Sequence, residues 1–141
     1  MQDLQKQIDQ KKMHLSTIKG FLIALAFIVV ISAGANPLSS WFAESGFREG
    51  EVDRCYWAAA LKRNTLNYKT AAEIYERIIK TFPQKNEEAF YYLAFCLDRK
   101  GEKQEAIKAY SDYLKLFPKG VFTLKAQKKL RDLMSLSLKG M

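Results

Sequence analysis

The segment TAAEIYERIIKTFP at residues 70–83 returns at 105–118 as EAIKAYSDYLKLFP, an offset of 35 residues. In that register Ala71 aligns with Ala106, Tyr75 with Tyr110, Ile79 with Leu114, Lys80 with Lys115, and Phe82-Pro83 with Phe117-Pro118. A period of this length marks a supersecondary unit that cannot bury its apolar face alone, so its copies must stack. Both copies space their apolar residues as helices. Alanine at the close approach lets paired helices touch, and each proline stops the helix before it. The spacing therefore predicts an all-α chain of stacked helical units.

These residues resemble the tetratricopeptide repeat, a pair of antiparallel helices of about 34 residues, which implies an all-α array of antiparallel helix hairpins. The second copy, counted from Glu87, carries the pattern in Phe90, Leu93, Ala94, Leu97, Gly101 at the turn, Ala106, Tyr110 and Pro118. Tyr113 stands where the family has alanine, which predicts slightly splayed packing there. The first copy, counted from Val52, has Cys55, Ala58 and Ala59 at its core places and Lys62 in place of an apolar residue. Its second half recovers the pattern with Tyr68, Ala71, Tyr75 and Pro83, but Leu66-Asn67-Tyr68 lacks the turn glycine.

After Pro118, Lys119-Gly120 predicts a turn into a last helix over 121–138, with Phe122, Ala126, Leu130 and Leu133 as its buried stripe. Two repeats and a cap fall below the three or so units that such arrays need. Three sources could make up the difference: packing of Leu38–Phe47 on the first repeat, self-association, or docking into a larger membrane assembly.

The other constraint lies upstream. Gly20–Ala43 contains no charge, and Phe21–Ile31 (FLIALAFIVVI) is apolar without a break. About 20 helical residues cross a hydrocarbon core of about 30 Å, so 18–38 reads as a transmembrane signal anchor stopped at Asn36-Pro37. Trp41 and Phe42 are the aromatic types that settle at the headgroup boundary. A cleavable secretory signal is the alternative, because Ala33-Gly34-Ala35 has the small-x-small form of a cleavage site. Against it stands the long leading segment with Lys6, Lys11, Lys12 and Lys19. Those four lysines, against Arg48 and Arg54 after the span, place the N-terminus in the cytoplasm and the repeats across the membrane.

The chain thus divides into a basic amphipathic cytoplasmic tail (1–17), a transmembrane helix (18–38), a linker (39–51), a first repeat (52–86), a second repeat (87–120), and a capping helix with tail (121–141). In a Gram-negative bacterium this puts the repeats in the periplasm, anchored to the inner membrane. The layout is similar to that of bacterial inner-membrane tetratricopeptide proteins that accompany the secretion translocon and periplasmic chaperones.

Catalytic material is scarce. The sequence has one histidine, His14, and two cysteines, Cys55 and Cys96, and it lacks a P-loop, a dinucleotide glycine pattern and a His-Glu-x-x-His motif. No enzyme activity, cofactor, metal, nucleic acid or small-molecule substrate is expected. Cys55 and Cys96 read as core residues, and Glu87-Glu88 as carboxylates placed for the helix dipole. The net charge of +8 is uneven: residues 119–141 hold six Lys and Arg against Asp132 alone. Lys125, Lys128, Lys129 and Arg131 form a candidate patch for lipid or an acidic partner, or else a solvated cap.

The resemblance implies a groove lined by first helices. Its positions fall here on Asp53, Tyr56, Trp57, Ala60, Arg63 and Asn64, then on Glu88, Tyr91, Tyr92, Phe95, Asp98 and Arg99. Among these Tyr56, Trp57, Arg63, Tyr91, Tyr92, Phe95 and Arg99 have the chemistry of a partner-binding surface: aromatics bury much area at low entropic cost, and Arg pairs carboxylates. Either a partner helix or extended segment occupies that groove, or the 38–47 linker or the capping helix folds back over it. The expected function is a membrane-anchored scaffold or accessory subunit of a membrane complex. The alternative is a secreted periplasmic chaperone or envelope assembly factor, released near Ala35.

Overall fold

The computed structural model describes residues 15, 17–23, 25, 37–83 and 87–139. It divides into two units, Met1–Pro37 and Leu38–Met141. In the first unit the described residues within 15–25 are helical and exposed. The expected span includes residues 24 and 26–36, and these, like all of the tail before Leu15 and the Ala33-Gly34-Ala35 site, lie outside the described residues. Among the described residues no helix is long and apolar enough to cross a membrane.

All regular structure described from residue 37 on is helical: α1 (37–49), α2 (Val52–Asn64), α3 (Tyr68–Thr81), α4 (Glu87–Lys100), α5 (Lys103–Leu116) and α6 (Thr123–Lys139). From α2 onward each helix packs against the next. The close approaches are made by side chains too small to hold the backbones apart. Ala58, Ala59, Ala71, Ala89, Ala94, Ala106 and Ala126 are all fully buried, as are Cys55 and Cys96. Larger side chains fill the space beside them, with Tyr75 and Ile78 in the first half of the core and Tyr91, Tyr110, Tyr113 and Leu133 in the second.

Turn chemistry follows the repeat. Gly101 takes the left-handed conformation at φ 86° between α4 and α5. The matching place between α2 and α3 is Leu66, at φ 61°. Asn67 then caps α3, its side chain accepting from the Thr70 amide at 3.3 Å. Phe82 and Phe117 close α3 and α5 through backbone bonds to Ile78 and Tyr113.

The segment 39–51, expected as a linker, is helical through residue 49, with Ala43 and Ser45 buried and Phe42 and Phe47 packed on the core. The reason is bulk. Cys55 occupies the place that Phe90 holds one repeat later, and Phe47 fills the deficit by stacking on Phe82 with ring centroids 6.1 Å apart. By comparison, Phe90 meets Phe117 at 5.8 Å.

Tyr113 stands at the family's alanine place. It is fully buried, and its hydroxyl donates to Glu87 at 2.8 Å while accepting from the Phe122 amide at 3.0 Å. Glu87, in turn, does more than face a helix dipole: the same carboxylate oxygen also accepts from the Val121 amide. Burial first, and then the Glu87 bond, raise the Tyr113 hydroxyl above its ordinary value.

Candidate functional site

The first helices α2 and α4 present the residues in question, and packing sorts them into three places. At the first, Arg63 from α2 lies over the Tyr92 ring of α4, its guanidinium carbon 3.6 Å from the centroid. Tyr92 stacks on Tyr75 at 5.7 Å and meets Phe95 edge-on at 6.4 Å. Phe95 meets Tyr68, the first residue of α3, at 6.2 Å. Arg99 lies 5.5 Å from the Tyr68 ring and 5.9 Å from Phe95, and its Nε donates to the Tyr68 hydroxyl at 3.4 Å. Arg63, Tyr92, Phe95, Tyr68 and Arg99 thus form one run of contacts, each residue against the next. The repeat pattern alone gives Tyr68 no place among the groove positions. Its signal was present, because Lys103 stands at the equivalent place of the second repeat and an aromatic there is specific to the first.

The Arg63 Nη1 atom is buried with no hydrogen-bond partner among the described residues. A guanidinium stacked on a ring keeps its attraction to the π face without a conventional acceptor. Its charge sits among tyrosines whose burial raises their hydroxyls, Tyr75 and Tyr91 included, and Arg63 itself opposes that rise.

The second place holds Tyr91. It is 7% exposed, stacked at 4.4 Å and 10° on Phe122, and met edge-on by Tyr110 and Tyr113. The α5–α6 turn folds back over this groove position, so Tyr91 belongs to the core between α4, α5 and α6. Tyr56 is likewise internal: half-buried against Tyr75 at 6.3 Å, its hydroxyl is pushed up to about 12, mainly by burial.

Trp57 occupies the third place. Its ring contact runs to Phe42 of α1 at 5.0 Å, and Phe42 meets Trp41 at 5.2 Å.

The basic patch on α6 divides too. Lys129 pairs with Asp98 of α4 at 3.1 Å and ties the cap to the second repeat. Lys125 sits 5.9 Å from the Phe122 ring, and Lys128 and Arg131 are exposed. Among the described residues no cluster of His, Cys, Asp or Glu is arranged to hold a metal ion. Burial raises the Cys55 thiol to about 11 and the Cys96 thiol to about 12, which makes both poor nucleophiles.

The arrangement suits the reception of a side chain or peptide. Rings supply area with little rotamer freedom to lose, and Arg99 offers donors at the rim. The model of the tetratricopeptide repeat family matches residues 56–85 and 88–120. No curated protein matches the chain.

Proposed function

Residues 56–85 and 88–120 belong to the tetratricopeptide repeat family, whose repeats serve as protein-interaction scaffolds, and on that premise we propose that this chain is a membrane-anchored adaptor, an accessory subunit of a membrane protein complex. Its partner lies against Tyr92, Phe95 and Tyr68, with Arg99 pairing a carboxylate at the edge. The observation that carries this reading is the exposed Arg99 held over two rings, at the end of a run of aromatics that reaches the stacked Arg63. Such an assembly leaves aromatic area and a cation on the surface after the core has closed. The anchor rests on the apolar run 21–31, and the side of the membrane on the lysines before it. The repeats then face the periplasm of a bacterial inner membrane.

Purification in mild detergent followed by native mass spectrometry tests the reading. A stoichiometric companion is expected, and Phe95→Ala combined with Arg99→Ala should weaken it by about 2 kcal/mol or more, with helicity unchanged. An isolated monomer with no companion overturns it. Protease added to sealed spheroplasts should digest the repeats. An intact mass beginning at Asn36 would instead establish the secreted form.

A further inference from the structure

We infer that Trp41, Phe42 and Trp57, with Leu38, form an aromatic foot that sets the repeat domain on the lipid headgroup layer of the membrane anchoring it. The inference rests on the anchored reading above and adds a contact between the folded domain and the bilayer.

Two distant parts of the sequence build the patch. Leu38, Trp41 and Phe42 fall on one face of α1 by helical spacing, and Trp57 comes from α2. The rings run edge to face, Trp41 to Phe42 at 5.2 Å and Phe42 to Trp57 at 5.0 Å. Leu38 is 48% exposed, Trp41 61% and Trp57 49%. Trp41 and Trp57 are the exposed rings of the described domain; its other rings are half-buried or, like Tyr75, Tyr110 and Tyr113 at 1% or less, buried. Two indoles bridged by Phe42 are thus both left half in solvent, and contiguous exposed apolar surface marks an interaction site.

Three observations select lipid as the occupant. The first is tethering. Leu38 follows Ile31, the end of the apolar run, by seven residues. Even fully extended, those residues span at most about 25 Å, so the patch is held near any bilayer the run enters. The second is chemistry. Indole has an apolar body and a polar N–H, the combination that settles between headgroups and acyl chains. The third is charge. Arg48, seven residues on from Trp41, lies exposed on the same stripe of α1 and offers a cation at phosphate level. The nearby Glu44 is committed to Arg77 of α3 at 2.7 Å, which holds its carboxyl below the usual range.

The chain has two tryptophans, and both belong to the foot, so their fluorescence reports on it alone. The full chain, as Trp41→Phe and as Trp57→Phe, is reconstituted into phosphatidylethanolamine–phosphatidylglycerol vesicles, with and without lipid brominated near the headgroup. Alkaline extraction of the same vesicles reports on the anchor. The expected result is a chain that resists extraction, with emission from Trp57 alone at least halved by the brominated lipid and poorly quenched by iodide. A chain that resists extraction while Trp57 ignores bromine and responds to iodide overturns the foot and leaves the anchor standing. Shielding from both quenchers means that protein, a second copy or another partner, covers the patch, and this also overturns it. Release of the chain by alkali overturns foot and anchor together.

Discussion

Leu66 adopts φ 61° at the place where the second repeat has Gly101 at 86°. A β-carbon in the left-handed region costs about 1–2 kcal/mol, partly offset in Leu66→Gly by the greater freedom of glycine in the unfolded chain. Leu66 is also 70% exposed, so its side chain gives little in return. Leu66→Gly should therefore stabilise the domain by about 0.5–1 kcal/mol, measured by urea unfolding. A loss of stability would show that Leu66 makes a contact worth more than its strain. Glu87 presents the opposite case, a surface-looking carboxylate with structural duties. Glu87→Ala leaves the Tyr113 hydroxyl and the Val121 amide without their acceptor and should cost about 1–3 kcal/mol. In a double-mutant cycle with Tyr113→Phe the two losses should fail to add; additive losses would mean that the bond contributes nothing.

At the scale of elements, α1 docks through Gly46. A β-carbon there would lie 2.9 Å from the Cys55 sulfur and 3.0 Å from the Glu51 carbonyl oxygen. The sulfur belongs to a buried side chain and the oxygen to backbone, so neither yields cheaply. Gly46→Ala should force α1 off α2, weaken the Phe47–Phe82 stack and destabilise the domain by about 1–3 kcal/mol. A melting temperature unchanged within a degree would show that α1 contributes nothing to the array. The dependence on α1 has a clear origin: a first repeat with cysteine in place of an aromatic cannot finish its own outer layer. Of the three ways a two-repeat array could be completed, packing of the preceding segment is the one observed within this chain.

For the whole molecule, two buried thiols and a half-buried phenol make stability depend on alkaline pH. Cys55 rises to about 11, and Cys96 and Tyr56 to about 12, burial being the first cause of each. In the unfolded chain thiols ionise near about 8.5 and phenols near about 10. Folding therefore favours the protonated forms, and the stability they confer is complete below those unfolded values. It is lost as pH rises toward the folded ones, with a slope nearing about 1.4 kcal/mol per pH unit for each group engaged. Melting should be level up to about pH 8 and fall steadily above about pH 9, with Cys96→Ala reducing the slope. A level profile up to pH 11 would contradict the burial of these groups.

Much of the architecture was legible in the sequence because it depends on local spacing. The 35-residue offset, the paired alanines and the two Phe-Pro stops are enough to specify hairpins of helices, and the stripe Phe122–Ala126–Leu130–Leu133 to specify the side on which the cap packs. The candidate site was legible only as a set of positions. Tertiary packing decided which of them meet: Tyr91 went beneath Phe122, Trp57 joined Phe42, Lys129 went to Asp98, and Tyr68 entered beside Phe95 and Arg99. The physical reason is range. Helix formation and repeat register follow from residues a few places apart, whereas the fate of an exposed aromatic depends on whether a segment tens of residues away has the bulk and the turn geometry to cover it.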